Sequence, residues 1–202
     1  MKKVLFALLT VFLLVGTSHA LTTLDFEGIP DDYYYYGGNQ NLGDYYDGVS
    51  FGTHATVLDR DIYGYNSYGY PPRSGDAVLF TDAFWSGEIR VDFDNNTNHV
   101  ELWYSSFFDL WLEAYDEHGN LLTYDWGDGI RRGNAFLEVN TADTDIAYVL
   151  IHDHGYFYTI DDFGWEEGQG GGNPIPEPAT VLLMATGLLG IGGIARFARK
   201  RS

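Results

Sequence analysis

The sequence predicts an all-β fold: an antiparallel two-sheet sandwich wound as a jelly roll, flanked by an N-terminal signal helix and a C-terminal transmembrane helix. Three observations predict it. Between the chain ends, apolar residues alternate with polar ones in short runs, the period of a strand with one packed face. Clusters of Gly, Asp and Asn separate those runs at turn spacing, and no stretch between them carries a helical repeat. The long apolar stretches lie at the two ends of the chain.

The first element, residues 1–20, reads as a secretory signal peptide. Lys2 and Lys3 supply the positive start, and residues 4–15 are apolar except for Thr10. Ser18 and Ala20 place small side chains before a cut after Ala20, so the mature chain starts at Leu21. The run is short for a bilayer span.

Residues 21–167 form the exported domain. Candidate strands are 22–27, 49–52, 55–59, 77–81, 88–93, 99–105, 110–115, 121–126, 135–140, 146–152 and 157–165. The clearest hairpin joins two of them: Leu110, Leu112 and Ala114 alternate with Trp111, Glu113 and Tyr115, and Asp116-Glu117-His118-Gly119-Asn120 supplies the turn. The length suffices for a two-sheet core without disulfides, and the chain has no cysteine with which to form one.

A Gly/Pro-rich linker, 168–175, leads to the last segment, 176–202. There Pro176-Glu177-Pro178 precedes an apolar helix over about 180–197 and a basic tail of Arg196, Arg199, Lys200 and Arg201. At about 1.5 Å per residue, residues 181–197 would span roughly 25 Å, marginal for a bilayer. The basic cluster should remain cytoplasmic, leaving the domain outside.

Charge narrows the function. All 29 acids except Glu177 lie in the exported domain, while six of the eleven bases lie in the end segments; 28 acids thus face five arginines, a net charge of −23. Nucleic acid is excluded as a partner, because phosphate recognition needs clustered Lys and Arg. The absence of cysteine excludes thiolate metal sites and a cysteine nucleophile. No nucleophile-elbow, zinc-protease, phosphate-loop or dinucleotide signature occurs, so the chain is read as a non-enzyme. A secreted glycosidase stays open as a lesser alternative, since acids are abundant and their separation is not readable from sequence.

The order of motif, apolar helix and basic tail over residues 174–202 resembles the PEP-CTERM sorting signal of Gram-negative bacteria. That resemblance implies export through the secretion translocon, transient anchoring by the C-terminal helix, and processing by exosortase, an integral-membrane protease. It also implies association with extracellular polysaccharide and biofilm. The flanking prolines suit this, since they keep the segment extended and accessible. A weaker resemblance, to jelly-roll carbohydrate-binding modules, rests on Leu24-Asp25-Phe26-Glu27-Gly28 at one end of the domain and Tyr158-Thr159-Ile160-Asp161-Asp162-Phe163 at the other. The hairpin from Ala114-Tyr115-Asp116 to Gly119-Asn120-Leu121 resembles one common in exported PEP-CTERM proteins.

The second resemblance implies a structural Ca²⁺ shared by the first and last strands, with Glu27 and Asp161 as ligands and Asp25 and Asp162 beside them. Strand alternation places Asp161 and Asp162 on opposite faces, and a solvated strand end is the equal alternative. Asp59-Arg60-Asp61 and Asp143-Thr144-Asp145 read as turns. Ten of the sixteen tyrosines fall between Tyr33 and Tyr70. They suit stacking on sugars, self-association, or simple packing of a long loop. Tyr33, Tyr35, Tyr65, Tyr68 and Trp111 are the candidate ligand contacts, and Trp85, Trp103 and Trp126 would extend the platform, with at least two of these four tryptophans expected in the core. His152 and His154, two apart on a strand, would share a face toward a metal, but no third ligand is identifiable. Together these readings describe a secreted surface or biofilm-matrix module that contacts extracellular polysaccharide; a self-assembling structural protein is the rival.

Overall fold

The computed structural model describes residues 20–34, 41–61, 65–81, 87–143, 145–155 and 157–166. Residues 1–19, Tyr35, Trp85, and the linker and tail with Pro176, Glu177, Pro178, Arg196, Arg199, Lys200 and Arg201 lie outside them. Among the described residues, no helix is long and apolar enough to cross a membrane. Ala20 is exposed and immediately precedes the first strand.

Eleven strands are formed: β1 (Leu21–Leu24), β2 (Val49–Phe51), β3 (Ala55–Asp59), β4 (Ala77–Thr81), β5 (Glu88–Thr97), β6 (His99–Ser106), β7 (Leu110–Tyr115), β8 (Leu121–Gly127), β9 (Ala135–Asn140), β10 (Ile146–His152) and β11 (Tyr158–Glu166). One sheet has the order β3-β4-β11-β6-β9, with β1 also on β11; the other is β2-β5-β10-β7-β8. All the strand pairings are antiparallel. From β5 onward the chain keeps switching sheets: β5 to β6, β6 to β7, β8 to β9, β9 to β10 and β10 to β11. This winding is that of a jelly roll. Asn98 alone separates β5 from β6, and Thr97 braces the corner by donating its hydroxyl to the carbonyls of His99 and Glu166.

The alternation read from sequence decides which side chains face inward. In β7, Leu110, Leu112 and Ala114 are buried while Trp111, Glu113 and Tyr115 are half-exposed. The turn after it forms as expected, with Asp116 accepting the N–H groups of His118 and Asn120. Between the sheets, Phe26, Phe51, Phe163, Phe93 and Trp165 form a run of ring contacts with centroids 5.9–6.5 Å apart. Each such pair contributes about 0.5–1.5 kcal/mol beyond its area burial.

Two expectations need correction. The first strand stops at Leu24 rather than reaching Glu27, because Phe26 takes a left-handed φ of 59° and turns its ring into the core. The expected burial of tryptophans also falls elsewhere: Trp103 and Trp111 are half-exposed, Trp126 is exposed, and the buried indole is Trp165.

Candidate functional site

The outer face of the β2-β5-β10-β7-β8 sheet carries the side chains that the core does not use. Register aligns them in three rows. One row runs Glu88, His152, Trp111, Trp126; the next Arg90, Leu150, Glu113, Tyr124; the third Ser50, Asp92, Tyr148, Tyr115, Leu121. Strand pairing thus converts residues scattered over about 100 positions into one surface.

Its aromatic part lies over β7 and β8. The indoles of Trp111 and Trp126 stack with centroids 5.7 Å apart and planes at 21°. Tyr124 tilts onto Trp111 at 5.7 Å. Trp126 is 48% exposed and Tyr124 54%, so these rings present open faces to solvent. β8 is an edge strand, which leaves the outer side of the stack uncovered.

Its polar part lies over β10 and β5. Tyr115 and Tyr148 stack in parallel at 5.0 Å, and Arg90 lies 3.6 Å over the Tyr148 ring. Arg90 also holds Asp92 through three N–H···O contacts of 2.6–3.0 Å, which raise the guanidinium further above its ordinary range. Tyr115 donates to Glu113 Oε2 at 2.5 Å, and His152 Nε2 lies 3.7 Å from the same oxygen. That hydrogen bond, with burial behind it, pushes the Tyr115 hydroxyl up to about 12. Donors and acceptors are therefore held in place beside the stacked rings.

The sequence-predicted carboxylates gather elsewhere, around the turn 73–77 that leads into β4. Asp161 pairs across with Trp103 and so points to the outer face of its sheet, yet it is buried beneath this turn. Its Oδ2 accepts the N–H groups of Arg73 and Ser74 at 2.6 and 2.8 Å. Glu27 Oε1 accepts those of Asp76 and Ala77 at 2.6 and 2.7 Å. Asp162 does not leave by the opposite face as alternation required: a bulge between Asp161 and Gly164, with φ of 46° at Asp162, lets it accept the Ser74 hydroxyl at 2.8 Å. Asp25 caps the Glu27 N–H at 3.1 Å. Burial lifts the Asp161 carboxyl to about 6 against the pull of its N–H donors.

The tyrosines divide. Tyr33 is half-buried against the core, and Tyr65 donates its hydroxyl to the Tyr70 carbonyl at 2.5 Å, burial pushing it well above its usual range. Tyr68 stays exposed under Arg132. Of the expected contacts, Trp111 belongs to the aromatic face, together with Trp126 from the expected platform; Tyr124, Tyr115, Tyr148 and Arg90 complete it, and the alternation of Tyr115, Tyr148 and Arg90 with buried neighbours marks those three as outward. His152 and His154 do not share a strand face, because β10 ends at His152. Among the described residues, one trio of metal-ligand types has its donor atoms mutually within 4.8 Å: His99, Glu101 and Glu138, on β6 and β9.

Comparison with known proteins adds the following. None of the curated proteins matches the sequence. Among solved structures, the fold is similar to the CBM22-1 xylan-binding domain from Paenibacillus barcinonensis Xyn10C, at 12% identity over 76% of this chain and 97% of that one, TM-score 0.43. It is similar to the K2 cleaved adhesin domain of Lys-gingipain, at 12% identity over 72% and 99%, TM-score 0.41. It is also similar to TmCBM61, solved in complex with β-1,4-galactotriose, at 14% identity over 59% and 86%, TM-score 0.38. Residues 174–201 match the PEP-CTERM protein-sorting motif, so the two-sheet sandwich belongs to an exported chain of the kind handled by exosortase.

Proposed function

We propose that this chain is a non-catalytic surface or matrix protein that holds extracellular polysaccharide on the outer face of the β2-β5-β10-β7-β8 sheet. The observation that carries the reading is the exposed Trp111–Trp126 stack with Tyr124, set beside the fixed polar groups of Glu113, His152, Arg90 and Asp92. Open indole faces accept the apolar side of a pyranose ring, while preorganised carboxylates and guanidinium serve its hydroxyls. Glu113 and Asp92 on this face are already hydrogen-bonded to Tyr115 and Arg90, an arrangement that suits positioning rather than proton transfer.

The test is affinity electrophoresis of the full chain, in a detergent without sugar headgroups, through gels holding different polysaccharides. At least one neutral polysaccharide should retard the protein. Trp126→Ala should weaken that retardation about tenfold, the loss of one stacking contact. Retardation by no polysaccharide, or an unchanged Trp126→Ala variant, refutes the reading.

Calcium is a separate proposal. Glu27 and Asp161, with Asp25 and Asp162, would hold it at the 73–77 turn. Glu27, Asp25 and Asp162 each have an oxygen that accepts no hydrogen bond among the described residues, while Asp161, both of whose oxygens accept N–H groups, would share its remaining lone pairs. Its support is the convergence of Glu27, Asp161 and Asp162 on that one turn. Calcium prefers six to eight oxygens, so backbone carbonyls and water would complete the shell.

A further inference from the structure

The loops at one end of the sandwich hold a second cluster. Phe107 and Phe108 follow β6, Phe157 precedes β11, Arg131 lies between β8 and β9, and Tyr70 lies in the β3–β4 connection; together they line an open cleft of about 290 Å³. The three phenylalanines are 40–48% exposed. Phe107 and Phe108 pack edge to face at 4.8 Å, and Phe107 meets Phe157 at 6.5 Å. The loops are pinned: Arg132 N–H donates to Gly69 O, Asn134 to Pro72 O, and Phe107 N–H to Phe157 O. The cleft is therefore a built feature of the fold.

Charge distinguishes it. The exported domain has 28 acids and five arginines. Two arginines pair with acids, Arg60 with Asp76 at 2.9 Å and Arg90 with Asp92 at 2.6 Å. The other three face aromatic rings instead: Arg131 over Tyr70 and Phe107 at 5.7 and 5.1 Å, Arg132 over Tyr68 at 4.6 Å, Arg73 over Trp103 at 4.4 Å. Asp153, buried in the adjoining β10–β11 loop, spends its oxygens on the N–H groups of Gly155 and Phe157. In so acidic a domain, the one guanidinium that lines this cleft, Arg131, has no carboxylate partner among the described residues. A guanidinium held beside rings rather than by a carboxylate keeps N–H groups for bidentate contact with a carboxylate.

We propose that this cleft binds a carboxylate-bearing sugar residue of an anionic polysaccharide, the acid at Arg131 and the ring's apolar face against the phenylalanines. The proposal rests on the polysaccharide reading above and specifies a second site for a different sugar class. The phenylalanine walls give a small inorganic anion nothing, and the net charge of the domain repels a polyanion from most of the remaining surface.

The experiment is titration calorimetry of the full chain, in a detergent without sugar headgroups, with trigalacturonate, its neutral methyl ester, and polyglutamate. Trigalacturonate should bind, the ester about tenfold or more weaker, the loss expected for a charge-assisted pair. Added salt should weaken the acid. Arg131→Gln and Phe107→Ala should each lose about tenfold, and Trp126→Ala nothing. Both altered side chains are exposed, and an unchanged melting midpoint confirms that each variant folds. Equal binding of ester and acid, equal binding of polyglutamate, or an unaffected Arg131→Gln variant overturns the proposal. So does sedimentation showing an oligomer that Arg131→Gln dissolves, which would make a second copy of the chain the occupant. Neutral polysaccharide held at Trp126 without uronate binding sinks this site alone; uronate binding at Arg131 without neutral binding sinks the sheet-face reading alone.

Discussion

Asp161→Asn keeps the shape of a buried side chain and removes its charge. Asp161 is 1% exposed, sealed under the 73–77 turn. Burial raises its carboxyl; the N–H donors of Ser74, Asp162 and Arg73 lower it, the charge of Asp162 raises it, and the balance falls at about 6. In the unfolded chain an aspartate titrates near ~3.9. The folded state therefore binds the proton more tightly. Its contribution to stability is fully present below about pH 4 and is lost as pH rises through about 6. Two units of difference correspond to roughly 3 kcal/mol. The Asn variant has no such titration, so subtracting it removes the pH dependence of every other group. Urea unfolding followed by fluorescence, in which the buried Trp165 reports the core, should show the wild-type minus Asn difference falling by roughly 2–3 kcal/mol between pH 4 and 7. A difference that stays flat, or rises with pH, would mean that the three N–H donors outweigh burial.

Other perturbations test neighbouring features. Gly75→Ala places a Cβ 2.1 Å from Glu27 Oε1 at a φ of 50°, so it should break the Glu27 contacts to Asp76 and Ala77 and cost about 1–3 kcal/mol in the same urea assay. Leu112→Ala empties a fully buried position on β7 and should cost about 2–5 kcal/mol. Burial lowers the His99 imidazole, but hydrogen bonds to Asn140 and Glu101 outweigh it and the net shift is upward. Its stabilisation is thus fully present below the ordinary histidine range and lost as pH rises through the folded value, so His99→Gln should abolish a decline in melting midpoint above about pH 6.5. Excess calcium against chelator should raise the melting midpoint by several degrees, and the combined Glu27→Ala and Asp161→Ala variant should not respond; equal midpoints for the wild-type protein would refute the calcium proposal.

Much of this molecule is local chemistry. The alternation of Leu110, Leu112 and Ala114 with Trp111, Glu113 and Tyr115 dictates a strand and its faces whatever it pairs with, and the Asp116–Asn120 turn closes on its own side chains. The sorting motif and the lack of helical repeats are equally legible, because each lies within one short stretch. Long-range contact decided the rest. Alternation says that Trp111, Tyr148 and Arg90 point outward, but only antiparallel register lays them side by side and turns Trp126 to the same face, although in β8 the apolar set is Leu122, Tyr124 and Trp126. The bulge that turns Asp162 back to Ser74 arises where β11 exchanges one edge partner, β4 at Ile160, for another, β1 from Phe163 onward. Phe107, Arg131 and Phe157 meet because three loops end at the same side of the sandwich. Side-chain period is a property of a segment and is written in the sequence; the neighbours of that segment are a property of how sheets pair and stack, and only the folded chain specifies them.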